Sequence, residues 1–166
     1  MKIELKAIEH HPSFSEETEC YAAALWIDGV CIGRVSNRGT GGGDDFHGDH
    51  AAFAKADTWC RRNLPCWSLP GPDDAPGFEH ETDLEMHCGA LLARHIGMKQ
   101  MQGDMRANLI FRQPGDGALC MVKVRAPAKT TDPAFHDRLL AQYPGALILN
   151  ALPKDEAWTI YSECSE

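Results

Sequence analysis

The sequence predicts an α+β fold: an antiparallel or mixed sheet with its helices mainly on one side. Three observations lead there. Apolar and polar residues alternate with strand period at the N-terminus, turn dipeptides join apolar runs into hairpins, and helical periodicity falls between hairpins instead of in repeated β-α-β units. The expected order is β-β-β-α-α-β-β-α-β. A chain of 166 residues suits a single domain whose core can fold unaided, with the 65–81 segment as the place of any subdivision.

Residues 2–8 set Ile3, Leu5 and Ala7 on one face against Lys2, Glu4 and Lys6 on the other. From Thr18 to Ile27 the chain is more continuously apolar, and Tyr21-Ala-Ala-Ala-Leu-Trp26 reads as a strand buried on both faces. Asp28-Gly29 then leads into a strand over 30–36. Asp-Gly between two apolar runs favours a type I′ turn, which needs positive φ at both central residues. The first third is therefore a three-stranded meander.

Asp49 stands where it can cap a helix starting near His50. Ala52, Phe53, Ala56, Trp59 and Cys60 share one stripe of that helix, while Lys55, Asp57 and Arg62 face away. Arg61 and Arg62 suit the negative end of the helix dipole, and Leu64-Pro65 stops the helix. The segment Pro65–Glu81 holds four prolines and two glycines and reads as a long loop. Loops of that length are usually functional or disordered.

Thr82-Asp-Leu-Glu85 has the form of a capping box. It opens a second helix with Leu84, Cys88, Leu91, Leu92 and His95 on its apolar stripe, and Gly97 as its end. Residues 98–106 read as polar. Strands over 108–113 and 118–126 flank Pro114-Gly-Asp-Gly117 as a second hairpin. Asp132-Pro133 starts a third helix with Phe135, Leu139, Leu140 and Tyr143 inward, and Pro144-Gly145 ends it. Residues 146–152 form a short strand, and the tail from Lys154 fits a helical turn or a strand equally.

Hydrophobic residues make up 43% and charged residues 24% of the chain, an ordinary globular composition. A net charge of -8 disfavours nucleic acid, whose affinity comes from Lys and Arg neutralising phosphates; an acidic surface suits a basic protein partner, or simply keeps the chain in solution. Seven cysteines without a Cys-x-x-Cys pair, and no signal-peptide pattern, imply reduced thiols and a cytoplasmic location. No segment is apolar enough to span a bilayer, and no cofactor is indicated.

One stretch suggests a site: Arg34-Val-Ser-Asn-Arg-Gly-Thr-Gly-Gly-Gly-Asp-Asp-Phe-His-Gly-Asp-His50. Backbone N–H groups of Gly39, Gly41, Gly42 and Gly43 suit an anion nest, with Arg34, Asn37 and Arg38 supplying side-chain hydrogen bonds to phosphate or carboxylate. Neither a P-loop nor a dinucleotide fingerprint is matched. A second reading makes Asp45, His47 and His50 ligands for zinc, manganese or iron, joined by Asp44 and Asp49. Asp49 has the competing task of helix cap. His95 reads as a core histidine, and Glu79-His80-Glu81 as a solvated charge run. No serine elbow is present, and no Cys–His signature marks a nucleophile. Trp67 and Phe78 in the long loop are the kind of aromatics that anchor protein interfaces.

Ser15-Glu-Glu-Thr18, the strand Ala22-Ala-Ala-Leu-Trp-Ile-Asp-Gly29 and the loop Ser36-Asn-Arg-Gly-Thr-Gly-Gly42, with a weaker echo in Ile148-Leu-Asn-Ala-Leu-Pro153, cover about a quarter of the chain. In these it resembles an uncharacterised group of small bacterial and phage-associated proteins with an Asn-x-Gly-x-Gly-Gly loop. The resemblance implies an accessory protein of phages or mobile elements that binds a host protein. It transfers no catalytic residue. The expectation is therefore a non-enzymatic accessory or inhibitor protein that docks through its acidic surface and long loops. A phosphate- or carboxylate-binding protein or enzyme at the glycine loop, and a metal-dependent hydrolase at the Asp/His cluster, are the alternatives.

Overall fold

The computed structural model describes residues 1–69, 71, 77–115, 117–124 and 130–164. The middle of the expected 65–81 loop, Asp116 of the second turn and the last two residues of the expected 118–126 strand lie outside the described residues. The fold is α+β, and every strand pair in it is antiparallel. Two compact units make up the chain, Met1–Ala93 and Arg94–Glu166.

In the first unit β1 (Ile3–His10), β2 (Tyr21–Ile27), β3 (Val30–Asn37) and β4 (Asp45–Gly48) form a sheet in that order. Asp28 and Gly29 adopt φ of 47° and 84°, as a type I′ turn between β2 and β3 requires. β4 was not expected. It is four residues long, too short for alternation to declare itself, and it pairs with Gly33–Ser36 of β3.

Helix α1 (His50–Asn63) starts at Asp49, whose Oδ1 accepts the N–H groups of Ala51 and Ala52, both at 3.0 Å. Helix α2 (Leu84–Ala107) follows. Phe53, Ala56 and Cys60 of α1 and Leu84 and Cys88 of α2 bury themselves against Ile3 and Leu25 of the sheet, with Leu5, Ile32, Phe46 and Leu91 around them. Asp57 does not simply face water: its Oδ1 accepts the Leu84 N–H at 3.0 Å and its Oδ2 the Arg61 Nε–H at 2.8 Å. The segment after α1 is not all loop either. β5 (Trp67–Leu69) and β6 (Phe78–His80) pair as a two-stranded sheet.

Four further expectations about α2 are corrected. Its cap is Asp83, whose Oδ1 accepts the Met86 N–H at 2.8 Å, while Thr82 donates its hydroxyl to the Pro65 carbonyl at 2.6 Å. The capping box therefore does not form, and Glu85 is released for another contact. Nor does Gly97 end the helix. A Cβ there would sit 2.3 Å from the Trp158 ring, so the glycine marks a close approach within a continuing helix. The segment read as polar carries Met98 and Met101, both buried, one turn apart. His95 is exposed, not a core residue.

In the second unit β7 (Asn108–Arg112) is the centre of a three-stranded sheet, between β8 (Leu119–Lys123) and β9 (Leu147–Ile148). Alternation along β7 serves two cores. Leu109 and Phe111 join Leu139 and Phe135 of α3 (Pro133–Gln142), whereas Ile110 joins Met101 and Met105 of α2 and Ala157 and Tyr161 of α4 (Lys154–Glu163). The ambiguous tail is thus helical. Asp132 caps α3 as expected, accepting the Ala134 N–H at 3.0 Å; Leu140, expected inward, is an exposed hydrophobic.

The expected strand over 146–152 shortens to two paired residues followed by a 3₁₀ turn, Leu149–Ala151. Asn150 takes over the hydrogen bonding there. Its Oδ1 accepts the Ile110 N–H at 2.7 Å, and its Nδ2 donates to the carbonyls of Met105 and Asn108 at 3.0 and 3.1 Å.

Candidate functional site

The glycine loop joins β3 to β4, and its shape is set by one side chain. Asn37, the last residue of β3, is 9% exposed. Its Oδ1 accepts from the Thr18 hydroxyl at 2.8 Å and from the Gly39 N–H at 2.9 Å. Its Nδ2 donates to the Gly42 carbonyl at 3.2 Å and to Asp44 Oδ1 at 3.0 Å. The amide thus has both donors and both lone pairs engaged.

Other segments close around this hub. The Gly39 carbonyl accepts N–H groups from Glu16, Glu17 and Thr18 at 2.8, 3.0 and 3.4 Å. Gly39 is buried with φ of 86°, and a Cβ on it would lie 2.1 Å from the Phe14 carbonyl oxygen; only glycine fits. The Gly41 N–H donates to the Thr18 hydroxyl at 3.3 Å. Tyr21, buried in β2, donates its hydroxyl to Asp44 Oδ2. Burial and the Asp44 carboxylate both push the Tyr21 phenol pKa up, so it stays a donor. Glu85, free of the capping box, accepts the Asp44 N–H at 3.1 Å.

These bonds decide what the loop offers. The N–H groups of Gly39, Gly41 and Asp44 are engaged by the protein's own oxygens. Carboxylates stand close by: Glu17 Oε2 would lie 2.4 Å from a Cβ on Gly41, and both Glu85 oxygens 3.1 Å from one on Gly43. Arg38 is exposed and takes no part in the network, and Gly42 and Gly43 are exposed beside it. Arg34 lies elsewhere, on the outer face of β3, loosely paired with Glu9 at 3.8 Å. There it borders a shallow cavity of about 190 Å³ floored by Ala22 and Ala24.

The metal candidates are spread along the chain's next turn. Asp45 and His47 are on β4, opposite Ser36 and Arg34. His50 opens α1 with its ring edge-on to Phe53 at 5.8 Å between centroids. Among the described residues no three His, Cys, Asp or Glu side chains gather as a metal site.

Comparison with known protein families, curated proteins and solved structures finds no match. The chemistry has to be read from the chain itself.

Trp67 and Phe78 come together in a way the sequence did not reveal. The register pairs Trp67 with His80 and Leu69 with Phe78. Residues that pair across a sheet or alternate along it share a face, so Trp67, Phe78 and His80 stand on one side of this hairpin, with Ser68 and Glu79 on the other. Trp67 is 45% and Phe78 61% exposed, and the Phe78 and His80 rings lie 6.0 Å apart. The members of the loop's hydrogen-bond network not expected from the sequence are Thr18, Tyr21 and Glu85. Only Thr18 carried a signal, as the end of the Ser-Glu-Glu-Thr element.

Proposed function

We propose that this chain is a non-enzymatic accessory or inhibitor protein that docks on a protein partner bearing a basic surface. The observation that carries the reading is the hairpin face of Trp67, Phe78 and His80: two exposed aromatics held on one side of a short sheet. Large aromatic side chains supply most of the energy at interfaces of this kind. Charge supports the same reading. Met1–Ala93 holds 16 acidic against 7 basic side chains, whereas Arg94–Glu166 holds 8 against 9. The hairpin belongs to the acidic unit and runs directly into Glu81, which favours a partner whose apolar recess has a cationic rim.

The closed glycine loop fits this better than a small-anion site, since the N–H groups of Gly39, Gly41 and Asp44 are engaged and its neighbours are carboxylates. Its role here is to hold Arg38, Thr40 and the exposed glycines in one shape. By the resemblance noted above, the setting is the cytoplasm of a bacterial host, with a phage or mobile element as the source.

The test is affinity capture from the source organism with the full chain and with Trp67→Ala/Phe78→Ala, followed by titration of the purified partner. The double variant should lose one specific protein, and binding of the native chain should weaken as salt rises. An identical set of captured proteins from both baits would refute the proposal.

A further inference from the structure

The second unit has an edge whose backbone pattern can be read residue by residue. Gln113 donates its N–H to the Ala118 carbonyl at 3.2 Å, and Val124 donates to Ala107 at 3.1 Å. In an antiparallel ladder, hydrogen-bonded pairs recur at every second residue. Ala118, Cys120, Val122 and Val124 therefore direct their backbone groups toward β7. Leu119, Met121 and Lys123 direct theirs the other way. Among the described residues no strand lies beyond β8.

The side chains at this edge are apolar on both faces. Met121 is 49% exposed on the face of Ile110, and Val122 is 38% exposed on the face of Leu109. The one charge in the strand is Lys123, at its end. Sheet edges are normally guarded by charged side chains, prolines or bulges; within Leu119–Lys123 the one such guard is Lys123 at the end of the strand, and Leu119–Val122 carry none.

We propose that β8 pairs with β8 of a second copy of this chain, antiparallel, about a two-fold axis at Met121. That register is selected by the backbone. It sets Met121 opposite Met121 and Leu119 opposite Lys123, so every outward N–H and C=O of the strand meets a partner. Sliding the strands by two residues leaves some unmet. Charge is compatible with a copy of the same chain. The two Lys123 ammonium groups fall at opposite ends of the new ladder, and this unit carries 8 acidic against 9 basic side chains, so two copies do not repel here as the acidic unit would. The apolar rims then cover one another on both faces, and the three-stranded sheet becomes six-stranded.

The pairing also places Cys120 opposite Val122 of the second copy as a non-hydrogen-bonded pair. Such pairs have Cα atoms about 4.5 Å apart, within reach of a disulfide. Sedimentation of the full chain over a wide concentration range should show the mass doubling. Met121→Lys should remain monomeric with an unchanged circular dichroism spectrum, and should melt as the native chain does at concentrations where that chain is itself monomeric. In a Cys31→Ser, Cys66→Ser, Cys164→Ser background, Val122→Cys should form a covalent dimer through Cys120 when oxidised glutathione is added, itself reduced as the thiols are oxidised. Leu119→Cys should form none with Cys120. A chain monomeric at every concentration, a dimer indifferent to Met121→Lys, or no cross-link from Val122→Cys would each overturn the proposal.

Discussion

Asn37 shows how much of a loop can rest on one amide. Replacing it with alanine removes four hydrogen bonds and leaves the Thr18 hydroxyl and the Gly39 N–H to find partners in a half-buried space. A loss of about 1–3 kcal/mol is expected, measurable by denaturant unfolding. The glycines around it are not equivalent. Gly39→Ala places a methyl group on the Phe14 carbonyl and should cost on the order of 3 kcal/mol or more. Gly42→Ala meets nothing within 4 Å and should cost about 1 kcal/mol, from its left-handed φ alone. Equal effects at the two positions would mean that the loop is not held as described. Asn37 stood out in the sequence as a side chain for an anion, whereas in the structure its amide is taken up by the loop itself. Its partners were not legible there, since Thr18 and Asp44 reach it from either side of two strands.

Among the elements, the junction of α1 and α2 adds an electrostatic contact to its apolar core. Burial works against the charge of Asp57, but the Arg61 guanidinium and the Leu84 N–H outweigh it and hold its carboxyl below the ordinary range. A carboxylate with a depressed folded-state pKa stabilises the fold above the unfolded value and loses that contribution as pH falls through the folded one. Stability of the first unit should therefore begin to drop below about pH 4 and continue to fall until Asp57 itself takes up a proton. Asp57→Asn should flatten that part of the acid-unfolding profile. On α2 the expected sign of a common substitution reverses. An exposed helical glycine changed to alanine usually gains about 1 kcal/mol, yet Gly97→Ala drives a methyl group into the Trp158 ring and should lower the melting temperature. Caps and hairpins with strong local chemistry, at Asp28-Gly29, Asp49 and Asp132, could be read from the chain. Strands of three or four residues could not, nor could the continuation past Gly97, because their reasons lie in tertiary contacts.

At the level of the whole molecule, separate cores give separate reporters. Burial pushes the Cys60 thiol up to about 11 and the Cys88 thiol up to about 12, and both lie in the core of the first unit. Cys120 packs beside the core of the second. Thiol labelling in rising denaturant should modify exposed Cys31, Cys66 and Cys164 at once, while Cys60 and Cys88 react together in one later transition. Reaction of Cys60 and Cys88 at different denaturant concentrations would contradict a shared core.

The bond from the Asp44 N–H to Glu85 joins residues 41 apart, and so has a meaning in time as well as in space. Contacts this distant in sequence close late, after local hairpins and helices have formed. Of the bonds around the glycine loop, those from Thr18 and Asn37 need only the β2–β3 meander; this one needs α2 in place. Protection of the Asp44 amide from hydrogen exchange should therefore be among the last to appear during refolding, a single-residue clock for the arrival of the second helix.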